Sequence, residues 1–374
     1  SKGRHLEIER LEKVRIKLGE VSPSFCLAKW YQVTLHLFNG NTQSCHHVKS
    51  HRVPLAEIDA QPSSLHNSSY KKSVRQEMLA GKFPKECKYC WNVEKVNQYS
   101  DRIHKSAEKW AMTGMESATN NSPEQGVYPT YLEVAFSNVC NFKCMYCSPS
   151  YSTLWEQEIQ EHGPYPTTRL FNNTTIMKIN QVEPLPQEER TRYVQAFWKW
   201  WPEVSPHLQH LRVTGGEPFM SPDTWGLLES LIQNPRPKLI FAINSNMGFA
   251  PLLLERLLLK LASLKGNVAK LTLFCSIDSV GEQAEYIRFG LDFEKFKENT
   301  YRLLRESPMK LRLSYMITVN ALSLPGLKTL LQLIAEQRRE FPQHEIGFDT
   351  PYLAHPEHLS VFILPKSFGK YLED

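Results

Sequence analysis

The stretch that decides the fold is Tyr131-Leu-Glu-Val-Ala-Phe136-Ser-Asn-Val-Cys140-Asn-Phe-Lys-Cys144-Met-Tyr-Cys147. Its apolar first half predicts a buried strand, and its second half carries three cysteines at C-x3-C-x2-C spacing. Three neighbouring thiolates can bind three irons of a 4Fe–4S cluster, which normally takes four cysteine ligands. The spacing therefore predicts a cluster with one iron free to bind a small molecule. A zinc loop or a group of buried free thiols is the alternative.

The same motif resembles the signature of the radical S-adenosylmethionine (SAM) superfamily, C-x3-C-x-aromatic-C, with Tyr146 as the aromatic residue. The resemblance implies that Cys140, Cys144 and Cys147 hold the cluster and that its open iron binds the amino and carboxylate groups of SAM. It also implies that one electron from the reduced cluster cleaves SAM and releases a 5′-deoxyadenosyl radical. A low-potential electron donor, such as flavodoxin or ferredoxin, is implied as a partner.

Strand-like runs alternate with amphipathic helical segments from Thr130 onward. This alternation predicts a parallel sheet covered by helices. Six such units are too few for a closed eightfold barrel, so the predicted fold class is α/β. It resembles the partial (β/α)6 barrel of radical SAM proteins, preceded here by a smaller N-terminal α+β domain. The predicted strands are 131–136, 210–214, 239–243, 271–277, 311–319 and 345–348. The predicted helices are 152–162, 187–200, 221–233, 250–264, 292–306 and 324–340.

Several strand ends carry residues that resemble the SAM contacts of the superfamily. Thr214-Gly-Gly-Glu217 is similar to its GGE motif, in which paired glycines allow close backbone approach and the carboxylate can accept from the methionyl ammonium. Arg288 is implied to pair with the SAM carboxylate through its bidentate fork; a solvated helix residue is the alternative. The implied SAM contacts are Tyr146, Gly215, Gly216, Glu217, Asn244, Asn246, Ser276, Asp278 and Arg288. No residue can be named as a catalytic acid, base or radical relay.

Four further cysteines precede the predicted barrel and are enough to close a second cluster: Cys26, Cys45, Cys87 and Cys90. An alternating stretch followed by Asn39-Gly40 predicts a β-hairpin that brings the first two of these cysteines near each other. The arrangement resembles the twitch domain, a shortened relative of the SPASM domain, although twitch segments normally follow the barrel. The resemblance implies an auxiliary 4Fe–4S cluster that accepts or relays an electron. A zinc site with the same four ligands is the alternative.

The chain is predicted to divide into a twitch-like auxiliary-cluster domain (1–111), a linker rich in turn formers (112–129), and the radical SAM barrel with a C-terminal extension (130–374). Within the barrel, the segment 163–187 is long, loop-like and rich in Pro, Thr and Asn. Loops of this length in a compact domain are usually functional or disordered. We expect this one to cover the barrel mouth.

Composition narrows the possible classes of function. The net charge of +5 is small for 374 residues, and basic residues alternate with acidic ones, so nucleic-acid binding is not indicated. No apolar run is long enough to span a membrane, and the N-terminus does not resemble a signal peptide. Eight cysteines then predict a reducing, cytoplasmic location and metal sites in place of disulfides. Cys275 is interpreted as a small buried thiol.

These features favour a radical SAM enzyme, an oxidoreductase that modifies a peptide or a small molecule, with two 4Fe–4S clusters and SAM as cofactors. A redox-neutral isomerase or epimerase with a structural auxiliary cluster is one alternative. A non-catalytic, metal-stabilised binding protein is another.

Overall fold

A computed structural model describes residues 2–372, which divide into two compact units. Unit 1 comprises the described residues up to Val134 together with Leu185–Leu211. Unit 2 comprises Ala135–Pro184 together with the described residues from Arg212 onward. None of the helices in this described part of the chain combines the length and the hydropathy that a transmembrane span requires.

The described residues form seventeen α-helices and eleven β-strands, numbered along the chain. The helices are α1 (Lys2–Val21), α2 (Ala28–Tyr31), α3 (Leu55–Ala60), α4 (Ser64–Asn67), α5 (Ser69–Leu79), α6 (Lys88–Lys95), α7 (Asp101–Ser106), α8 (Lys109–Met112), α9 (Met115–Asn120), α10 (Thr153–His162), α11 (Thr174–Ile179), α12 (Gln187–Val204), α13 (Pro222–Gln233), α14 (Pro251–Leu264), α15 (Gly281–Ile287), α16 (Phe293–Glu306) and α17 (Leu324–Glu340). The strands are β1 (Gln32–His36), β2 (Asn41–Gln43), β3 (His51–Arg52), β4 (Tyr131–Ala135), β5 (Lys143–Cys144), β6 (His210–Thr214), β7 (Arg236–Ser245), β8 (Val268–Ser276), β9 (Arg288–Phe289), β10 (Leu311–Met316) and β11 (Glu345–Asp349).

Unit 2 has the predicted α/β architecture. Its strands follow the order β11-β10-β8-β7-β6-β4, and β7, β8, β10 and β11 pair in parallel. Strands β4 and β6 begin in unit 1 and end in unit 2. Helices alternate with the later strands, as the sequence pattern predicts. The open strand order confirms a partial barrel.

Unit 1 is a helical unit that carries a small antiparallel sheet. Strand β1 pairs with β2 in the register His36↔Asn41, and β2 pairs with β3. The predicted hairpin is therefore present, with Gly40 at a φ of 71° in its turn. Helix α1 packs through Leu11, Val14 and Leu18, whose helical spacing places them on one buried face.

The boundary between the units differs from the predicted one. Residues 112–129 were predicted as a linker but lie in unit 1, because α9 buries Met115 and Ala118 in the apolar core of that unit. Helix α12, which the sequence pattern assigned to the barrel, also belongs to unit 1. Its buried face carries Phe197, Trp200 and Trp201.

The hairpin turn in unit 1 provides a test of close packing. Gly40→Ala and Gly81→Ala both place a side chain at a φ near +70°, which costs about 1 kcal/mol. A Cβ at Gly40 would also lie 2.3 Å from the ring of Tyr193, whereas one at Gly81 would meet its nearest atom, in Pro23, at 3.6 Å. We expect Gly40→Ala to lower the free energy of unfolding by about 2 kcal/mol more than Gly81→Ala, since overpacking adds to backbone strain. Urea unfolding of both variants measures this difference, and equal losses would contradict the packing at the turn.

Candidate functional site

The three-cysteine loop of unit 2 is held by a short strand pair. Strand β5 pairs antiparallel with β9, so that Cys144 lies opposite Arg288 and Lys143 opposite Phe289. The Met145 N–H donates to the Ile287 carbonyl at 2.9 Å and extends this pairing. The local fold therefore fixes the loop against the chain that leaves α15.

The cysteines of this loop are free thiols that line one cavity of about 400 Å³. This volume falls in the usual range of small-molecule sites. The Phe142 N–H donates to the Cys140 sulfur at 3.4 Å, and the Asn246 side-chain amide lies 3.9 Å from the same sulfur. The Arg288 Nη1 group donates to the Cys144 sulfur at 3.7 Å. Hydrogen bonds from such donors favour the thiolate form of a cysteine over the thiol.

The chemistry of the cysteines fits iron–sulfur ligation. Burial raises the pKa of Cys140 and of Cys147 to about 12, so thiolates here require a compensating positive charge, which bound iron would supply.

The paired glycines after β6 pack directly against the cysteine loop. Gly215 has a φ of 120°, and a Cβ there would lie 2.6 Å from the Ser137 carbonyl oxygen. A Cβ at Gly216 would lie 2.2 Å from the Val139 carbonyl oxygen. The Glu217 N–H donates to that same carbonyl at 2.7 Å. Only glycines allow the two backbones to approach this closely.

Glu217 lies behind the cavity and does not line it. Its carboxylate accepts hydrogen bonds from the Asn246 N–H at 2.7 Å, the Ser245 hydroxyl at 3.0 Å and the Phe219 N–H at 3.1 Å. Burial raises the pKa of Glu217 to about 7, although these three donors favour the ionised form. Through its bonds to Ser245 and Asn246, Glu217 stabilises the turn after β7.

Asp278 also lies behind the cavity, where it is fully buried against Arg288. The Arg288 Nε and Nη2 groups donate to its two carboxylate oxygens at 3.0 and 3.1 Å. The Tyr146 hydroxyl donates to Asp278 at 2.7 Å and accepts from Arg288 at 2.6 Å. The Thr318 N–H also donates to Asp278, at 3.0 Å. The guanidinium fork predicted to meet a ligand carboxylate is thus occupied by a carboxylate of the protein.

The remaining predicted contacts reach the cavity. Its lining includes Tyr146, both glycines of the GGE motif, Asn244, Asn246, Ser276 and Arg288. Asn244 is oriented by the Arg212 Nε group, which donates to its side-chain oxygen at 2.9 Å. Several further lining residues were not predicted from the sequence: Phe142, Ser148, Tyr151, Thr214, Ser245 and Thr318. Their position in the cysteine loop or at the carboxyl ends of strands is the signal that could have found them.

The segment predicted to cover the barrel mouth lies against the cysteine loop. The Asn172 side-chain amide donates to the Cys147 carbonyl at 3.0 Å, and the Ser150 hydroxyl donates to the Val182 carbonyl at 2.7 Å. The segment also contains α11, which was not predicted. It therefore touches the loop that carries the cysteines.

The four cysteines of unit 1 line a second cavity. Burial raises the pKa of Cys26 to about 11 and that of Cys87 to about 12, and Cys45 adds to both shifts through its charge. The hairpin and α6 thus bring together cysteines that are far apart in sequence.

Cationic side chains surround this second cavity. Lys29, Arg102 and Lys105 line it, and the first two are almost fully buried. Lys29 forms an ion pair with Glu86, and Arg102 donates two hydrogen bonds to Glu94 at 2.8 and 2.7 Å. Buried cations beside four sulfurs favour a negatively charged metal–thiolate group.

A cluster of two histidines and one aspartate lies at the edge of the same cavity. His46, His47 and Asp101 place one ligand atom each within 4.8 Å of one another. Both imidazole Nε2 atoms approach the same Asp101 oxygen, at 3.4 and 3.0 Å. Lys105 lies 3.1 Å from His46 Nδ1 and 3.9 Å from that oxygen, so an ammonium already occupies this cluster.

Comparison with known proteins identifies the family of the chain. Residues 134–331 match the family described as the radical SAM superfamily. No curated protein matches the chain in sequence. Among solved structures, the chain is similar to Streptococcus suis SuiB, with 15% identity, a TM-score of 0.39, and coverage of 87% of this chain and 61% of that one. SuiB bound to precursor peptide SuiA gives 15% identity, a TM-score of 0.38, and coverage of 92% and 68%. The chain thus spans under two thirds of the first of these structures, and so distant a likeness carries no argument about substrate.

The burial of Glu217 predicts a pH dependence of stability. The folded carboxyl has a pKa of about 7, above its unfolded value of about 4.3, so the folded state binds more protons between these values. Stability should therefore fall by about 3 kcal/mol as pH rises through this window and then level off. Urea unfolding of the metal-free chain from about pH 5 to about pH 8 measures this slope.

In that experiment, Glu217→Gln should flatten the pH profile. Glu282→Gln, which alters an exposed carboxyl in the same unit, serves as the matched control and should leave the profile unchanged. A Glu217→Gln profile parallel to that of the wild type would show that this carboxyl is already ionised at low pH.

Proposed function

The chain belongs to the radical SAM superfamily, and on this premise we propose that it cleaves SAM reductively and uses the resulting 5′-deoxyadenosyl radical to abstract a hydrogen atom from its substrate. Superfamily membership implies SAM and a 4Fe–4S cluster as cofactors. When bound, the cluster supplies the electron for the cleavage. The observation that carries the proposal is the convergence of three free cysteines on one cavity at the carboxyl ends of the strands.

Within this proposal, Cys140, Cys144 and Cys147 hold the cluster and the cavity beside them binds SAM. The lining side chains Asn244, Asn246 and Ser276 offer donors and acceptors for its polar groups. Tyr146 and Arg288 also line the cavity, but their polar groups bond to Asp278 and to each other. The backbone of Gly215 and Gly216 forms one wall.

Glu217 and Asp278 act in this scheme as positioning residues. Glu217 orients the turn that contains Asn246, and Asp278 orients Arg288 and Tyr146. The role assigned to Glu217 therefore shifts from direct contact with the SAM ammonium to support of the residues around it. Because the carboxylate of Glu217 already has three donors, its replacement should disturb the shape of the site first.

We further propose that Cys26, Cys45, Cys87 and Cys90 hold an auxiliary 4Fe–4S cluster in a twitch-like arrangement. The buried cations around this cavity support a group of net negative charge. They would also stabilise an added electron, as an electron acceptor requires. The reaction that fits is oxidative: after hydrogen abstraction the substrate radical would lose one electron and one proton, and a cluster held by these four cysteines would supply the acceptor for the electron.

The proposed substrate is a peptide or a small molecule, and the proposed reductant of the first cluster is a low-potential protein such as flavodoxin or ferredoxin. The segment between α10 and α12 lies against the cysteine loop and would help to keep water from the radical. Eight free cysteines fit a reducing compartment such as the cytoplasm.

Iron counting tests both cluster assignments. After anaerobic reconstitution with iron and sulfide, the wild-type chain should bind about eight irons, as expected for two four-iron clusters. The Cys140/Cys144/Cys147→Ala variant should bind about four irons and lose SAM cleavage. A variant with the four unit 1 cysteines replaced by alanine should also bind about four irons but keep the SAM-dependent change in the spectrum of the remaining cluster.

Cys275→Ala provides the control, because Cys275 is a buried thiol that lines neither cavity. It should retain about eight irons. Tightly bound zinc in place of iron at the unit 1 cysteines would refute the auxiliary cluster, and zinc at the unit 2 loop would refute the enzymatic assignment.

A further inference from the structure

The side chain of Arg288 reaches the cysteine loop because of the register between β5 and β9. Arg288 lies directly opposite Cys144 in this antiparallel pair. Side chains of directly opposed residues lie on the same face of an antiparallel ladder. The Arg288 Nη1 group accordingly lies 3.7 Å from the Cys144 sulfur, which is within range of an N–H···S hydrogen bond.

The other donors of this guanidinium are occupied. Its Nε and Nη2 groups bond to Asp278, and Nη2 also donates to the Tyr146 hydroxyl. Asp278 in turn accepts from Tyr146 and from the Thr318 N–H. The Nε–Nη2 edge of the guanidinium is therefore fixed by Asp278, and its Nη1 group is directed at the Cys144 sulfur. An arginine keeps its positive charge even when buried, so this is a permanent charge beside one ligand of the proposed cluster.

We propose that Arg288 is a positioning residue that raises the reduction potential of the cluster in the three-cysteine loop through its hydrogen bond and charge at the Cys144 sulfur. This inference rests on the proposed function of that loop. Reduction adds an electron to a group that is already negative. A hydrogen bond to a ligand sulfur and a nearby cation both stabilise that electron. Asp278 opposes the effect with its negative charge while it holds the guanidinium in place.

Anchoring the loop does not by itself require this arginine. The backbone pairing of β5 with β9 and the hydrogen bond from the Met145 N–H to the Ile287 carbonyl already fasten the loop. A buried ion pair carries a desolvation cost that an apolar pair would avoid. The positive charge of Arg288 must therefore have a role other than packing. Its position beside the Cys144 sulfur fits a role in setting the reduction potential of the cluster.

The test is the midpoint potential of the reconstituted holoenzyme, measured by anaerobic redox titration with EPR detection in the absence of SAM. The cluster of interest is identified beforehand as the one whose EPR signal changes when SAM is added. Arg288→Met should lower its midpoint potential, and Arg288→Lys, which keeps a charge but loses the planar fork, should lower it by a smaller amount. Arg339→Met is the matched control, because this exposed arginine of α17 belongs to the same unit and does not line the cavity. Its midpoint potential should equal that of the wild type.

Asp278→Asn should shift the midpoint potential in the direction opposite to Arg288→Met. Simple loss of structure would not produce shifts of opposite sign. It removes the negative charge but keeps the shape, so the midpoint potential should rise. Unchanged potentials in both Arg288 variants with full iron content would overturn the inference, as would shifts of the same sign in Arg288→Met and Asp278→Asn. Loss of iron from both Arg288→Lys and Asp278→Asn would also overturn it, since the ion pair would then serve to retain the cluster. A wild-type protein without any SAM-sensitive signal would instead count against the proposed function.

Discussion

The close approach of two backbones at the end of β6 is the constraint on which the unit 2 site depends. Gly215 and Gly216 lie against the carbonyls of Ser137 and Val139, and the Glu217 N–H bonds to the second of these. The cysteine loop is fixed on this side by glycine packing and on the other by the pairing of β5 with β9. Two independent anchors therefore hold a loop whose cysteine thiols must converge on a single cavity. A loop anchored on one side only would be too mobile to keep its three thiols at the same cavity.

Charge organises both cysteine sites in a similar way. Each set of buried thiols has arginine or lysine side chains nearby, and each of those cations is held by a buried or half-buried carboxylate. In unit 2 the pair is Arg288 with Asp278; in unit 1 the pairs are Lys29 with Glu86 and Arg102 with Glu94. The carboxylates keep the cations in place, while the cations face sulfur or the cavity around it. This arrangement suits metal–thiolate groups that carry net negative charge and exchange electrons.

Local sequence patterns predicted the elements well, because their signals are local. The Asn39-Gly40 turn and the alternation around it predicted the hairpin, and alternating runs such as His210–Thr214 predicted the strands. The tasks of Glu217 and Asp278 could not be predicted in the same way. Glu217 bonds to Ser245, which lies 28 residues further along the chain, and Thr318 reaches Asp278 from 40 residues away. The unit boundary was also missed, because the apolar face of α12 does not indicate which core it will join.

The central claim is that the cavity beside the three-cysteine loop binds SAM and directs an electron to it. Its most direct test is the formation of 5′-deoxyadenosine by the reconstituted, chemically reduced protein incubated with SAM and analysed by mass spectrometry. We expect 5′-deoxyadenosine from the wild-type chain and none from Cys144→Ala treated in parallel. A wild-type preparation with its full iron content that leaves SAM intact would contradict it.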